Sequence, residues 1–241
     1  MTRLGIVAAL PAEAKCLVDR QDDNRDLATA PLLQLHQHVI LKVSGMGPEF
    51  AQSAATDLIE HGATALLSWG CAGALSVDMQ PGALLLPQAV ITADGQPIRT
   101  DQAWRARLAQ TVSNAVSVHD GILAESRTIL FDPAQKHTLH QAHGAVATDM
   151  ESAAVGRAAR AAGIPFLAVR AVADTAADSL PLFVTKAMDE FGRIHVLRLL
   201  RALIGHPASW LQMIRLERHF HAAMRTLRMI SGQEGPLFHI N

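Results

Sequence analysis

Between Thr148 and Asp178 the chain reads TDMESAAVGRAARAAGIPFLAVRAVADTAAD. Its second half, Phe166–Ala173, is apolar apart from Arg170. A run of that kind is the pattern of a strand buried on both faces, which requires a sheet covered by helices on both sides. The segment before it places Ala154, Val155, Ala158, Ala159 and Ala162 at helical spacing, and Gly163 and Pro165 end it. Thr148 with Glu151 three residues later has the form of a capping box opening that helix. Asp174 follows the strand directly, and in open α/β sheets ligands gather beyond the carboxyl ends of strands. Each acid also has a purely structural reading: Glu151 as the third residue of the cap, Asp174 as a turn residue or the cap of a following helix.

The same alternation runs through the chain. Strand patterns cover Leu4–Leu10, His38–Val43, Ala65–Trp69, Ala83–Thr92, Ile122–Ala124 and Phe166–Ala173. Helical patterns cover Glu49–His61, Asp101–Ser113, Pro133–His140, Ser152–Ala162, Leu182–Leu203 and Trp210–Ile230. This order predicts an α/β sheet with helices on both faces. The first break is at Gly205-His206-Pro207, so residues 1–204 are expected to form one domain and 205–241 a helical extension. Ser44-Gly45-Met46-Gly47-Pro48 and Gly70-Cys71-Ala72-Gly73 each follow a strand. Both read as glycine loops whose free N–H groups suit an anion or hydroxyl ligand.

Composition narrows the function classes. A net charge of −1 gives no reason to expect a nucleic-acid partner. Cys16 and Cys71 form no CxxC or disulfide pattern, which fits a reduced, cytoplasmic setting. The 12 histidines form no compact ligand set, so no metal is expected. The apolar Leu4–Leu10 after Arg3 reads as a first buried strand rather than a signal peptide, and no apolar run reaches the ~18 residues of a membrane span.

Five segments, in order, resemble the nucleoside phosphorylase and nucleosidase superfamily: GIVAALPAEA, SGMGPEFA, SWGCAGAL, TDMESAAV and VRAVADTAAD. The pattern is closest to the hopanoid-associated phosphorylases, and next to the 5′-methylthioadenosine/S-adenosylhomocysteine nucleosidases. The resemblance implies a three-layer α/β/α fold with a mixed central sheet. It also implies cleavage of the N-glycosidic bond of a 5′-substituted adenosine, adenosylhopane first and methylthioadenosine or S-adenosylhomocysteine as the alternative. Asp174 stands where the family's acid protonates the purine at N7, Glu151 where a glutamate binds the ribose hydroxyls, and Glu13 where a glutamate activates water. Met150 stands where a methionine packs on the sugar, and Ile129 and Leu130 fall near the base-holding segment. Cys71, Ala72 and Gly73 occupy the family's glycine turn, with Cys71 where Ser or Thr is common, and Asp149 stands where many relatives carry Glu. No cofactor is implied, and the relatives point to a homodimer or larger homo-oligomer.

The chemistry suits these residue types. A carboxylic acid beside N7 supplies a proton to the leaving base, worth ~10²–10⁴ in rate. An anionic glutamate on the ribose diol favours positive charge on the sugar ring. Phosphate as co-substrate would need cationic donors, for which Arg170 and Arg127 are the candidates. The family's phosphorylases carry an Arg shortly after the first strand, whereas in that region this chain offers Lys15 and no Arg between the strand and Arg20, which favours water. A non-catalytic nucleoside-binding module is the reading of another class, opposed by the joint presence of Glu13, Glu151 and Asp174. The tail carries Trp210, Met213, Ile214, Phe220, Met224, Leu227 and Ile230 at helical spacing, with Arg215, Arg218, Arg225 and Arg228 between them. It reads either as a helix packed on protein or as a basic amphipathic helix at the inner membrane surface, where it would meet a lipid-linked nucleoside.

Overall fold

The structure is a computed structural model and describes residues 2–18, 27, 30, 32–179, 191 and 209–232. Its strands are β1 Leu4–Ala8, β2 Leu33–His36, β3 Val39–Val43, β4 Ala65–Ala74, β5 Leu84–Leu85, β6 Ala89–Ile91, β7 Pro97–Arg99, β8 Val118–His119, β9 Ile122–Glu125, β10 Ala147–Asp149 and β11 Phe166–Asp174. The helices are α1 Pro11–Ala14, α2 Pro48–Glu60, α3 Gln102–Val112, α4 Pro133–His143, α5 Ser152–Ala162 and α6 Ser209–Ser231.

All eleven strands join one mixed sheet, whose main path runs β2-β3-β1-β4-β10-β9-β6-β7. The long β4 is its hub. Ala65–Trp69 pair with parallel β1, Gly73 and Ala74 with antiparallel β10, and β11 runs parallel along Leu66–Gly73. Side chains alternate between the faces, as the strand period requires. Leu4, Ile6, Leu67, Trp69, Leu167 and Val169 pack with Trp104 and Leu108 of α3 and with Leu227 and Ile230 of α6. Val7, Leu66, Phe166 and Ala168 pack with Ala54 and Leu58 of α2 and with Val155 and Ala159 of α5. Two cores on the two sides of one sheet make the expected three layers.

Several local expectations are corrected. Thr148 does not cap a helix: it lies in β10 and its hydroxyl donates to the Ala124 carbonyl at 2.9 Å. The capping acceptor for α5 is Asp149, whose Oδ2 takes the Ser152 N–H at 3.1 Å. Gly70–Gly73 is not a loop but the second half of β4, kept extended by its pairing with β11. The Ala83–Thr92 run divides into β5 and β6, with Pro87 in the gap, since proline cannot donate to a ladder. The sequence patterns also missed β2, β7, β8 and β10, all of four residues or fewer and too short to show a period. The expected helix Leu182–Leu203 and the boundary at Gly205 lie outside the described residues.

The C-terminal half of α6 packs on the sheet as core. Ala223, Met224, Leu227 and Ile230 are buried, and the Thr226 hydroxyl donates to the Gly82 carbonyl at 2.6 Å. At its N-terminal end Leu211 and Ile214 are exposed. No helix among the described residues is long and apolar enough to cross a membrane. Leu227→Ala is expected to cost about 2–5 kcal/mol, the range for deleting a fully buried leucine side chain, read from urea unfolding midpoints. An unchanged midpoint would show that α6 is dispensable to the core.

Candidate active site

The carboxyl ends of β1, β4, β9, β10 and β11 surround a cavity of about 310 Å³. Glu13, Cys71, Ala72, Gly73, Ile129, Leu130, Asp149, Met150, Glu151 and Asp174 all line it. These are the catalytic and substrate-binding residues expected from sequence, brought together from five separate segments.

Glu13 reaches the site because β1 ends at Ala8 and Pro11 opens the short α1, proline being suited to the first helical turn. Its Oε2 accepts the N–H groups of Ala9 at 3.1 Å and Leu10 at 2.9 Å, and its Oε1 accepts that of Cys71 at 2.8 Å. Burial pushes its carboxyl up, while Arg170 and those three donors pull it down; the net direction is up. Glu151 stands at the start of α5. Its Oε1 accepts the Gly47 N–H at 2.8 Å, so the SGMG loop holds an acid of the site. Burial, with the nearby charge of Asp149, pushes Glu151 up to about 7.

Asp174 closes β11. Its Oδ1 accepts the Ala74 N–H at 3.0 Å, and its Oδ2 accepts from Lys136 Nζ at 2.8 Å. Burial raises its carboxyl above the ordinary range against the pull of Lys136. Asp149 gives Oδ2 to Arg170 Nε at 2.7 Å, while its buried Oδ1 has no hydrogen-bond partner among the described residues.

The two glycines of GCAG make room for these acids. A Cβ at Gly70 would lie 2.5 Å from Glu13 Oε1, and one at Gly73 would lie 3.0 Å from Asp174 Oδ1. Their purpose is close approach of carboxylates to a strand, not a turn.

The two arginines considered for phosphate stand apart from the cavity wall. Arg170 is buried, with Nε on Asp149 and Nη2 donating to Ser68 Oγ at 2.6 Å, and Arg127 is exposed; neither lines the cavity. Sequence reasoning missed Lys136, which is 1% exposed, and also Ala9, Leu10, Met46, Ser126, Thr128, Leu216 and Phe220 in the wall. A lysine within PAQKHTLH looks like any solvated helix residue, and nothing local marks it for burial. Among the described residues no group of three or more His, Cys, Asp or Glu could hold a metal ion.

The sequence pattern of the phosphorylase superfamily matches residues 3–204. The chain belongs to the phosphorylase superfamily. Within it, the chain is 25% identical over 214 residues to the 5′-methylthioadenosine/S-adenosylhomocysteine nucleosidase of Buchnera aphidicola, covering 77% of this chain and 84% of that one. It is 27% identical over 202 residues to the aminodeoxyfutalosine nucleosidase of Campylobacter jejuni, covering 74% and 88%. Among solved structures, the 5′-methylthioadenosine/S-adenosylhomocysteine nucleosidase of Helicobacter pylori superposes with a TM-score of 0.67 at 18% identity, over 97% of this chain and 99% of that one. That likeness gives the superfamily's fold across nearly the whole chain.

Gly70→Ala is expected to displace the Glu13 carboxylate and to lower turnover about 10²-fold, the cost of misplacing a reacting group by roughly 1 Å. Turnover equal to wild type in a folded variant would show that Glu13's place against β4 does not matter.

Proposed function

We propose that this protein is a nucleosidase that cleaves the N-glycosidic bond of a 5′-substituted adenosine with water and releases adenine. The observation that carries this reading is Glu13, gripped through both oxygens by three backbone N–H groups in the same cavity as Asp174 and Glu151. In the proposed reaction Asp174 gives its proton to purine N7 as the C1′–N9 bond breaks and its electron pair passes to the base. Water attacks C1′, and its proton goes to Glu13. Glu151 accepts hydrogen bonds from the ribose hydroxyls, Met150 packs on the sugar, and Ile129 and Leu130 hold the base with the Cys71–Gly73 segment.

Water is the nucleophile on charge grounds. A phosphate group needs cationic donors. The one cation among the described lining residues is Lys136, and it is engaged by Asp174 and by the Thr175 carbonyl at 2.7 Å. Arg170 is committed to Asp149 and Ser68. The buried acids Glu13, Asp149 and Glu151 would repel an anion. The names of the Buchnera and Campylobacter relatives, both nucleosidases, support the same choice.

For the 5′ substituent our reading is adenosylhopane, in hopanoid biosynthesis. It rests on the sequence resemblance and on Leu216 and Phe220 of α6, which add an apolar wall to the cavity. The exposed Leu211 and Ile214, with exposed Arg218, Arg225 and Arg228 further along α6, would let this helix rest on an anionic bilayer holding such a lipid. Methylthioadenosine or S-adenosylhomocysteine is the second reading, favoured by the name of the Buchnera relative.

Three measurements test these assignments. Adenine release from each nucleoside is expected to proceed in phosphate-free buffer with free ribose as co-product; strict dependence on phosphate overturns the nucleosidase reading. Asp174→Asn is expected to lower turnover at least ~10²-fold with the fold intact, and near-normal turnover would reduce Asp174 to a structural residue. Leu211→Glu is expected to weaken binding to anionic vesicles, and vesicle binding that is absent in wild type or unchanged in the variant removes the membrane contact.

The Glu151 assignment also sets a pH dependence. Ribose hydroxyls donate best to the ionised carboxylate, and this carboxyl is pushed up to about 7. Affinity for a non-cleavable adenosine analogue is therefore expected to fall as pH drops through about 7, and Glu151→Gln to flatten that fall. A wild-type affinity that is level across neutral pH would break the assignment.

A further inference from the structure

Lys136 is an uncommon feature of this site. A lysine is almost never fully buried unless paired, and this one is 1% exposed within α4. Its ammonium is anchored twice, on Asp174 Oδ2 at 2.8 Å and on the Thr175 carbonyl at 2.7 Å. Both partners belong to the end of β11, and Lys136 itself lines the cavity. We propose that Lys136 is the positioning residue of the leaving-base proton: its ammonium holds the Asp174 side chain in place and stabilises the carboxylate that Asp174 becomes on protonating N7. The proposal rests on the nucleosidase reading and assigns a residue that reading does not need.

The charge on Asp174 changes during the step. Before it the acid is neutral; after it, the proton is on N7 and a buried anion remains. An isolated buried carboxylate is costly, so without a partner the proton would be held back from the base. Both oxygens already meet donors suited to the anion: Ala74 N–H on Oδ1 and Lys136 on Oδ2. Because Lys136 is in place before the reaction, its attraction grows as the proton leaves, with no solvent to reorganise. The same cation favours ionised Asp174 in the empty site, so it exchanges part of the protonated population for a better proton donor.

No other described group supplies that charge to Asp174. Asp178, on the turn after β11, raises the Asp174 carboxyl. Asp178 is itself engaged by the Thr175 N–H at 2.8 Å and, from α6, by Arg215 and His219 at 3.0 Å each. From β4 come the Ala74 N–H and, within the same wall, the Cys71 thiol, which burial keeps protonated. Glu13 and Glu151 share the cavity with Asp174, and the Arg170 charge acts on both of them.

The sign of the pH effect separates this role from a merely structural one. A general acid works while protonated, so activity is present below its pKa and is lost as pH rises through it. Lys136 pulls the Asp174 carboxyl down. Removing the cation must therefore move the basic limb to higher pH even as it slows the step.

The test is steady-state adenine release by the full chain across pH, in wild type, Lys136→Met and Lys136→Arg. In Lys136→Met, kcat on the plateau below the basic limb is expected to fall about 10²-fold, the scale for one lost electrostatic contact at a reacting group. Its basic limb is expected to rise by about one pH unit or more. Lys136→Arg keeps the charge and is expected to keep the limb near its wild-type position, which holds as a test even where the Met variant does not fold. A lowered rate with an unmoved limb, an unchanged plateau, or an Arg variant whose limb shifts like that of Met overturns the proposal. Adenine release by wild type tests the nucleosidase reading by itself, so the two failures are distinct.

Discussion

One guanidinium makes this site affordable. Glu13, Asp149 and Glu151 are buried around it, and carboxylates out of water are tolerated only with a counter-charge or hydrogen-bond donors. Arg170 supplies that charge from β11. Burial opposes its own ionisation, but Asp149, Glu13 and Glu151 together push it above its already high range. Breaking such a buried pair by removing one member typically costs ~3–5 kcal/mol, because the remaining charges stay buried. The one charged residue within the apolar run Phe166–Ala173 is thus the counter-ion of these three acids. Its Nε and Nη2 are taken up by Asp149 and Ser68, and it does not line the cavity wall.

The placement of the acids depends on β4. Glu13 takes the Cys71 N–H and Asp174 takes the Ala74 N–H. The proposed base and the proposed acid therefore hang from one strand, three residues apart, or roughly 10 Å at ~3.3 Å per residue. That spacing is set by covalent geometry and sheet pairing rather than by mobile side chains. It fits a reaction in which water and the purine lie on opposite sides of a sugar carbon. The glycines at 70 and 73 follow from the same arrangement, since a side chain at either would occupy the space of a carboxylate.

How much of this was legible in the sequence follows the length scale of each signal. The long buried strand and the longer helices have periods that survive in one dimension, and they place the three layers. The five ordered segments find Glu13, Glu151 and Asp174 because each sits at the end of such an element. The failures are local and physical. Thr148 resembled a cap because Thr-x-x-Glu is also what results when a short strand ends on an acid just before a helix. Gly70–Gly73 resembled a turn because a pair of glycines marks turns and strands alike: here Gly70 combines a positive φ with room for Glu13, and Gly73 makes room for Asp174. Lys136 was invisible because its burial comes from the far side of the fold, from Asp174, 38 residues on. The tail's apolar stripe was real but divided: its last turns are core and its first turns are exposed, a difference made by the sheet rather than by the helix.

Four carboxyls in one cavity raise the question of how each takes a distinct task. Their surroundings separate them. Asp149 is bound directly to Arg170, which fixes its place in the wall. Glu13 is near the same guanidinium and has three backbone donors around its oxygens, which oppose the upward push of burial on its carboxyl. Glu151, with fewer donors and the charge of Asp149 close by, is left near the midpoint at neutral pH, where sugar hydroxyls can settle it as the anion. Asp174 is away from Arg170 and is raised by burial, which suits the one acid that must carry a proton to the base. A cation beside it would seem to defeat that purpose, but the step produces an anion, and catalysis is gained from what is stabilised at the transition state rather than before it. Arg170 on one side and Lys136 on the other thus give a crowd of like groups the distinct surroundings that the proposed base, sugar clamp and acid require.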